Sequence, residues 1–512
     1  MSPTNKSQSW SAAVLLIAAA TGVSFADADE GQEAIRFTSE HRITTGGEAV
    51  RYTATAGETL LRDEAGKPVA AVWSTAYVAD GGTGERPVVF VFSGGPGAAS
   101  GSMNVGFLGP KTVRHTEQPT GTDDGAAPFE LVDNPDSLFD VSDFVFVDPV
   151  GTGFSRAVGA GRNTEFWSMA ADTASMASFI HSWITENERW NSPKYILGLS
   201  YGTTRAVTIA RKLSYPPHEM ALNGLLLHGP ALDFLGLDPL VGNPLSYVSF
   251  LPTMAAIAHY HGKAGGGQTL EEFVEEARQF ARGDYFAALF RGSNLADAER
   301  QSLADRMSRL IGLDAEFILN AHFRVSVARF RAELLRDRGL VVGYSDGRYV
   351  GRAPDPNAAE PSETDPSTAV YSHAYAAAIN RHLSADLGVA MNRPYQAWNA
   401  RVGKDWTWSP DLSVFTKPQA FRQAKRSGRI EVAGQLASVM QENAALKVQV
   451  AVAYYDLYTP FFDSERVFAN FGIDARRVEM SHYETGHRLW HNSASRQAIV
   501  ADIRRFLTDA TE

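Results

Sequence analysis

A serine in the pattern Gly-x-Ser-x-Gly can attack acyl carbonyls, and this pattern occurs twice in the chain. Ser200 lies within 198–202 (Gly-Leu-Ser-Tyr-Gly), after the apolar run 194–197 and before the helical pattern 203–213. The glycines permit a sharp turn from strand to helix that exposes the hydroxyl. Ser345 has the same flanking glycines but no helical pattern after it. We therefore predict that Ser200 is the nucleophile and that Ser345 lies in a surface turn.

A serine nucleophile needs a general base, and the base needs a carboxylate to orient it. On a strand–turn–helix scaffold of this kind the chain order is serine, then acid, then histidine. Asp456 follows the apolar, strand-like run 447–453. Parallel sheets place functional groups just past the carboxyl ends of their strands. We therefore predict Asp456 as the acid and retain the nearby Asp463 as the alternative.

The base must come from one of thirteen histidines. His487 lies in a late loop, between the strand-like segment 477–480 and the last helical pattern, 493–507. That loop is where the chain order expects the histidine. His482 and His491 are close enough in sequence to remain alternatives, but the order and flanking segments favour His487.

The negative charge that develops on the attacked carbonyl oxygen needs preorganised N–H donors. We predict one donor in the amide of Tyr201, directly after the nucleophile. The second should come from the glycine-rich loop 93–97 (Ser-Gly-Gly-Pro-Gly), which follows the apolar run 88–92. The alternative reading, a phosphate-binding loop, is disfavoured because neither nucleotide-binding glycine pattern is present.

Two kinds of strand pattern precede and surround these residues. Alternating segments separated by glycine-bearing turns predict an antiparallel meander over 49–54, 58–61 and 70–77. Short continuous apolar runs predict parallel strands buried on both faces, at 87–92, 143–147, 194–197, 224–227 and 447–453. Helical patterns at 166–186 and 203–213 lie between some of these runs. Together they predict an α/β fold with a mostly parallel central sheet and antiparallel N-terminal strands.

The middle of the chain has a different pattern. Amphipathic helices are predicted at 270–282, 296–311 and 315–336, and the Pro-rich stretch 353–367 is predicted to be a loop. We interpret 247–429 as a helical cap inserted into the sheet domain, whose two parts would be 29–246 and 430–512.

The N-terminus resembles a secretory signal peptide. Lys6 precedes a short apolar run over about 11–23, and small-residue cleavage sites follow at 24–26 and 26–28. The run is shorter than the ~20 residues that span a bilayer, although a membrane anchor or a buried helix is the alternative. We predict a signal peptide at 1–28, a periplasmic or secreted protein, and no membrane span after signal removal.

Composition excludes several function classes. The net charge is −11, and no basic run with interleaved aromatics is present, so we predict no nucleic-acid binding. The absence of cysteine excludes disulfides, thiolate metal sites and cysteine nucleophiles. An exported protein without disulfides fits a bacterial periplasm.

Four blocks of this sequence resemble the serine carboxypeptidases, a family of α/β-hydrolases. They are 93–100 (Ser-Gly-Gly-Pro-Gly-Ala-Ala-Ser), 148–155 (Asp-Pro-Val-Gly-Thr-Gly-Phe-Ser), the turn 198–202, and Asp456 with Gly486-His487. The bacterial branch is most similar, through Tyr-Asp-Leu-x-Thr-Pro and Ser-Tyr-Gly-Thr-Thr-Arg. The resemblance spans most of the predicted mature chain and is weakest in the cap.

The resemblance implies removal of a peptide's C-terminal residue by a triad of Ser200, Asp456 and His487. It also implies oxyanion-hole amides at Gly95 and Tyr201, and no cofactor or metal. Substrate-binding positions of the family correspond to Ser93, Gly94 and Leu199.

The sequence departs from the family at groups that help to hold the substrate's carboxylate. Leu199 replaces a glutamate, Ser93 replaces an asparagine, and Phe107 stands where the family can carry an acid. Burying a carboxylate requires hydrogen bonds or a counter-charge. The first hypothesis is thus a serine-type carboxypeptidase acting on peptides. The alternatives are an esterase or acyltransferase with the same triad, or a binding protein whose site has decayed.

Overall fold

The computed structural model describes residues 33–81, 85–114, 125–361, 365–408 and 430–509. Residues Ala34–Glu512 form one compact unit. The predicted signal peptide and part of the predicted cap, 409–429, lie outside the described residues. Within the described residues, no helix is both long and apolar enough to cross a membrane.

The described residues contain one large sheet of ten strands and two small hairpins. The large sheet has the order β1-β2-β3-β7-β4-β9-β10-β13-β14, with β8 beside β3, and the hairpins are β5-β6 and β11-β12. The strands are β1 (Arg36–Thr45), β2 (Glu48–Arg62), β3 (Pro68–Ala79), β4 (Val88–Phe92), β5 (Lys111–Val113), β6 (Leu131–Asp133), β7 (Asp143–Asp148), β8 (Arg156–Ala157), β9 (Lys194–Leu199), β10 (Gly224–His228), β11 (Leu340–Val342), β12 (Val350–Arg352), β13 (Lys447–Ala453) and β14 (Val478–Tyr483).

The antiparallel opening of the sheet differs from the predicted meander. The segments predicted as two strands, 49–54 and 58–61, are one continuous strand, β2, and β1 pairs with it although no strand was predicted there. Gly57 marks a close approach of two backbones, because a Cβ at this position would lie 2.7 Å from the carbonyl oxygen of Ile35. The true turn is at Gly46 and Gly47, both with positive φ.

The predicted parallel strands are present, and they are buried on both faces. In the order β7-β4-β9-β10-β13-β14 each strand pairs in parallel with the next, while β7 pairs antiparallel with β3 on its other side. Alternation within β4 sends Phe90 towards one helical layer, where its ring lies 5.4 Å from that of Trp183. Val89 and Val91 join a second core cluster with Ile503 on the other face. Apolar side chains on both faces explain why these runs do not alternate in polarity.

The helices of the described residues cover the sheet and form most of the segment between β10 and β13. They are α1 (Gly101–Met103), α2 (Met169–Glu186), α3 (Tyr201–Leu213), α4 (Pro244–Tyr260), α5 (Leu270–Phe280), α6 (Phe286–Arg291), α7 (Asp297–Ile311), α8 (Ala315–Asn320), α9 (Val327–Glu333), α10 (Pro366–Arg381), α11 (Ala400–Lys404), α12 (Ala433–Glu442), α13 (Phe461–Asn470) and α14 (Ser493–Asp509). Single π-helical turns occur at Asn104–Leu108, Ala281–Tyr285 and His382–Asp386.

One predicted helix of the middle segment is broken. The single helix predicted at 315–336 is two helices, α8 and α9, because the chain turns at His322 and Phe323, which both have positive φ. The predicted α/β-hydrolase fold class is confirmed: a mostly parallel sheet is covered by helices, with antiparallel strands at its N-terminal side. The boundaries of the cap, 247–429, remain a prediction.

Candidate active site

Ser200 occupies a strained turn between β9 and α3. Its backbone has φ 59° and ψ −128°, and its N–H donates to the carbonyl of His228 at 3.0 Å. A non-glycine residue with positive φ is held only where its surroundings impose it. Both neighbouring glycines are required by close packing. A Cβ at Gly202 would lie 2.6 Å from the carbonyl oxygen of Phe92, and one at Gly198 would overlap the carbonyl of Gly202.

The loops after β13 and β14 bring the predicted acid and base together. His487 Nδ1 lies 2.7 Å from Asp456 Oδ2, and Asp456 is fully buried. This hydrogen bond fixes the imidazole with Nδ1–H towards the carboxylate, which leaves Nε2 as the proton acceptor. Ser200 and His487 line the same cavity. Within the described residues, Ser200 Oγ makes no hydrogen bond, so the nucleophile is open to that cavity.

Thr459 also contacts the carboxylate of Asp456, although no sequence pattern described above predicts a role for it. Its hydroxyl donates to Asp456 Oδ2 at 2.7 Å and lies 3.4 Å from His487 Nδ1. Its amide donates to Asp456 Oδ1 at 3.1 Å, as does the amide of Tyr458 at 2.7 Å. The signal was present in the block Tyr-Asp-Leu-Tyr-Thr-Pro, since a hydroxyl three residues after an aspartate commonly closes a turn onto it.

The alternative acid and bases are engaged elsewhere. Asp463 Oδ1 lies 2.8 Å from Arg466 Nη2, and burial raises the pKa of Asp463 to about 6. His482 Nε2 lies 2.7 Å from Glu465 Oε1, and His491 Nε2 lies 2.7 Å from the hydroxyl of Tyr375. Each of these side chains therefore belongs to a different hydrogen-bonded group, whereas Asp456 and His487 contact each other.

The glycine loop after β4 packs against the nucleophile. A Cβ at Gly94 would lie 2.7 Å from the Cβ of Ser200, so only a residue without a side chain fits here. Gly95 has φ +111°, a conformation that favours glycine. Among the described residues, the amides of Gly95 and Tyr201 donate to no protein acceptor, so both are available for an oxyanion. Their role remains a prediction.

A buried arginine connects the glycine loop to the helix that carries the nucleophile. Arg205 on α3 donates from Nε to Asp172 Oδ2 and from Nη1 to the carbonyl of Ser93, both at 2.8 Å. Arg205 and Asp172 are 1% and 3% exposed, and burial raises the pKa of Asp172 although Arg205 opposes that shift. Arg205 therefore fixes the loop relative to α3. Arg205 is the arginine of the Ser-Tyr-Gly-Thr-Thr-Arg block, and its structural role does not follow from the sequence pattern.

The cavity above Ser200 has a volume of about 470 Å³. The three predicted substrate-binding residues, Ser93, Gly94 and Leu199, all line it, and so does Gly95. The cavity is also lined by Tyr371, Tyr375 and Ile379 of α10, by Trp398, and by Tyr458 and Arg488 of the loops that carry Asp456 and His487. No sequence pattern predicts α10 at this site, because its position depends on tertiary packing.

Phe107 is buried within an aromatic stack and is not exposed to the cavity. Its ring lies parallel to that of Trp490, with centroids 5.1 Å apart, and 6.0 Å from the ring of His228. Burial lowers the pKa of His228 to about 4. The apolar ring thus fills the position where the resembled family can carry an acid, and it leaves His228 beside a neutral neighbour.

The prediction that Ser345 lies in a surface turn is wrong. Ser345 is 3% exposed and lines the catalytic cavity. Its carbonyl accepts the N–H of His487 at 2.7 Å, and its hydroxyl accepts the hydroxyl proton of Tyr371 at 2.9 Å. The reason is tertiary: the loop between β11 and β12 folds onto the catalytic loops, a contact that the local sequence does not encode.

The same loop, 343–348, braces both catalytic loops. The N–H of Leu457, next to the catalytic acid, donates to the carbonyl of Tyr344 at 3.2 Å. Arg348 forms a buried ion pair with Asp346 at 2.6 Å and donates to the carbonyl of Glu484 at 2.9 Å. We call residues 343–348 the brace loop. It fixes the backbone from which Asp456 and His487 project.

Among the described residues, no group of three His, Asp or Glu side chains is placed to hold a metal ion. The predicted absence of a cofactor remains a prediction.

Comparisons with known proteins give a family match for part of the chain. The family model described as serine carboxypeptidase matches residues 73–259, which include the glycine loop and Ser200. A comparison with curated protein sequences gives no match. Residues 73–259 are thus a serine carboxypeptidase-family segment, and the chain is a serine hydrolase.

One solved structure shares the fold, and two others are similar at lower TM-scores. Kex1Δp, a prohormone-processing carboxypeptidase from Saccharomyces cerevisiae, has a TM-score of 0.51 at 15% identity, covering 90% of this chain and 91% of that chain. A proline iminopeptidase from Mycobacterium smegmatis has a TM-score of 0.36 at 14% identity, covering 92% and 99%. A thermostable carboxyl esterase from Bacillus coagulans has a TM-score of 0.36 at 12% identity, covering 89% and 98%.

Proposed function

We propose that the protein is an exported serine carboxypeptidase, which removes the C-terminal residue of peptides through an acyl-enzyme on Ser200. The observation that carries the proposal is the arrangement of three groups. Ser200 and His487 line one cavity, while the buried carboxylate of Asp456 holds the other side of the imidazole. The family match over residues 73–259 supports the carboxypeptidase class.

In the first half-reaction, Ser200 Oγ attacks the carbonyl carbon of the last peptide bond and His487 Nε2 takes the hydroxyl proton. Asp456 stabilises the imidazolium that forms. The amides of Gly95 and Tyr201 donate to the oxyanion of the tetrahedral intermediate. When the intermediate collapses, His487 returns the proton to the leaving amine, and the C-terminal amino acid departs.

In the second half-reaction, water attacks the acyl-enzyme and His487 accepts its proton. The shortened peptide leaves with a new C-terminal carboxylate, and the proton returns to Ser200 Oγ. These steps need only the groups already described and a water molecule.

A fluorophosphonate and a peptide-library digest read by mass spectrometry test the proposal. The wild type should be labelled at Ser200 and should shorten peptides sequentially from the C-terminus. Ser200→Ala should not be labelled, and its rate of hydrolysis should be at least ~10³-fold lower than that of the wild type. Ser345→Ala is the matched control, because it alters the other Gly-x-Ser-x-Gly serine and should leave the label on Ser200. Undiminished hydrolysis by Ser200→Ala would contradict the proposal, and internal cuts would argue for an endopeptidase.

An esterase or acyltransferase activity is the second candidate function. Leu199 lines the cavity and Phe107 is buried in an aromatic stack, so neither position offers a donor to a substrate carboxylate. Turnover of a free-acid peptide and its C-terminal amide at equal rates, together with faster turnover of an ester, would favour this candidate over a carboxypeptidase.

The export part of the proposal rests on residues 1–28. N-terminal sequencing of the protein isolated from the producing cells should find a mature chain that begins after Ala26 or Ala28. An unprocessed Met1 in the purified active protein would contradict cleavage of a signal peptide.

A further inference from the structure

Arg488 directly follows the catalytic base and lines the same cavity as Ser200. Because consecutive Cα atoms are ~3.8 Å apart, its backbone lies next to the reacting groups. It is the one Lys, Arg, Asp or Glu among the described residues that line this cavity. The chain as a whole has a net charge of −11, so a cation here is a local feature of the site.

The guanidinium of Arg488 makes no hydrogen bond with a described residue. It forms no ion pair with a described carboxylate, and its Nη1 is buried without a hydrogen-bond acceptor. Two arginines close to this site are paired instead, Arg205 with Asp172 and Arg348 with Asp346. A buried N–H donor without an acceptor is destabilising, so Nη1 of Arg488 is a donor that a ligand in this cavity would satisfy.

Two tyrosines of α10 hold the guanidinium in place. Its Cζ lies 4.8 Å from the ring centroid of Tyr371 and 5.3 Å from that of Tyr375. Stacking on aromatic faces orients a guanidinium without using its N–H donors. The tyrosines are themselves fixed, since the hydroxyl of Tyr371 donates to Ser345 and that of Tyr375 accepts from Trp490 Nε1 at 2.9 Å. The donors of Arg488 remain available to an anion.

We propose that Arg488 binds the α-carboxylate of the peptide's C-terminal residue. This inference rests on the proposed carboxypeptidase function and specifies how the site recognises its substrate class. In such a substrate the carboxylate lies one residue beyond the attacked carbonyl, about 3.8 Å further along the chain. A planar guanidinium can donate two parallel hydrogen bonds to that carboxylate. The side chains of Leu199 and Phe107 cannot donate hydrogen bonds to a carboxylate. Arg488 therefore supplies the positive charge that these two apolar side chains lack.

The test compares one peptide as a free acid and as its C-terminal amide. The peptide is the one best cleaved in the library digest, and kcat and KM are measured for the wild type, Arg488→Met and Arg488→Lys. The wild type should prefer the acid. Arg488→Met should raise KM for the acid 10- to 100-fold and change kcat/KM for the amide less than threefold, because only the acid loses a charge-assisted pair. Arg488→Lys should recover part of the loss, since an ammonium binds a carboxylate without the bidentate geometry.

Two controls separate recognition from folding. The rate of fluorophosphonate labelling of Arg488→Met should match that of the wild type, which shows an intact triad. Arg401→Met replaces an exposed arginine that also lies over an aromatic ring, Trp167, but has a carboxylate partner, Asp405. It should leave the preference for the acid unchanged.

The outcomes distinguish this inference from the proposed function. Retention of the wild-type acid preference by Arg488→Met overturns the role of Arg488 and leaves the carboxypeptidase function standing. Equal losses on acid and amide with slower labelling mean a structural role, and also overturn it. Equal turnover of acid and amide by the wild type removes the carboxypeptidase function itself, and the inference with it.

Discussion

The carboxylate of Asp456 accepts four hydrogen bonds, from two amides, one hydroxyl and the imidazole of His487. A buried carboxylate without such donors would be strongly destabilising. The surroundings of Asp456 therefore satisfy its oxygen atoms and fix the carboxylate towards the imidazole.

Thr459→Val should lower kcat/KM about tenfold with little change in KM. The substitution keeps the shape of the side chain and removes the hydroxyl bonded to Asp456 Oδ2. A hydrogen bond to a charged group contributes ~1.5–3 kcal/mol, and ~1.4 kcal/mol corresponds to a factor of ten in rate. Steady-state kinetics on the best-cleaved peptide measure the effect.

Thr459→Ser and Thr185→Val are the matched controls. Thr459→Ser keeps the hydroxyl and should retain most of the activity. Thr185→Val removes a hydroxyl on the exposed side of α2, where it donates only to the carbonyl of His181, and should leave the kinetics unchanged. An unchanged rate for Thr459→Val would show that its hydroxyl does not support the acid.

The single residues that the sequence could predict are those whose role follows from chain order. The order serine, acid, histidine and the segments beside each residue were sufficient to select Ser200, Asp456 and His487. In the structure Ser200 and His487 line one cavity, and Asp456 is hydrogen-bonded to the imidazole from the buried side. Arg488 was adjacent to a predicted residue, but its direction is set by Tyr371 and Tyr375 on α10. No local pattern connects α10 to a loop more than a hundred residues later.

Among the elements, the brace loop connects the segment between β10 and β13 to the loops that carry Asp456 and His487. It bonds to the backbone beside Asp456 and to that of His487. A Cβ at Gly486 would overlap Asp346, so the two loops are in direct backbone contact. The position of the general base therefore depends on an element that is not part of the central sheet.

Arg348→Met should destabilise the protein by ~3–5 kcal/mol and lower kcat. The substitution leaves Asp346 buried and unpaired, and it removes the donor to the carbonyl of Glu484. Urea denaturation measures the stability, and single-turnover kinetics measure the chemical step.

The double variant Asp346→Asn/Arg348→Met separates the two effects. It removes the unpaired charge, so much of the stability should return, while kcat should remain low because the carbonyl of Glu484 has still lost its donor. Arg476→Met is the control for loss of an ion pair: Arg476 is highly exposed, and its pair with Asp474 should contribute little to stability because solvent screens it. Full recovery of kcat in the double variant would contradict the bracing role.

Strands and helices whose pattern of apolar residues reflects their burial could be predicted from the sequence. Features that depend on contacts between segments distant in sequence could not. The parallel strands and α14 follow from apolar runs and helical patterns. The sequence predicts two strands where the structure has β2, because Gly57 resembles a turn residue. In the structure Gly57 lies within the strand, and its lack of a side chain allows the backbone of Ile35 to pack against it. Ser345 was misplaced for the same reason: its glycine-flanked segment resembles an exposed turn but packs against His487.

At the scale of the whole molecule, one buried carboxylate couples stability to pH. Asp148, at the end of β7, is 1% exposed, and burial raises its pKa from 3.8 to about 6. It accepts hydrogen bonds from the amide and hydroxyl of Ser100 at 2.8 and 2.9 Å, which partly oppose that shift. Between about pH 4 and pH 6 the folded state holds a proton that the unfolded chain has lost.

Asp148→Asn should therefore change the pH dependence of folding. The contribution of Asp148 is present below pH 4 and is lost as pH rises through about 6, because the folded state must then bury a charge. The stability of the wild type relative to Asp148→Asn should fall by roughly 3 kcal/mol between pH 4 and pH 7. Urea denaturation of both proteins across this range measures the difference. A difference that does not vary with pH would contradict the raised pKa.

The order of strands in the sheet has a consequence for how the enzyme is made in the cell. β9 and β10, beside Ser200, lie next to β13 and β14, which are synthesised only after the long segment between them. At ~5–20 residues per second, the ribosome reaches His487 tens of seconds after Ser200. A growing chain thus carries Ser200 without His487 while the residues between them are synthesised. If these residues are the nucleophile and its base, the producing cell is exposed to hydrolytic activity only from chains that have been extended past His487.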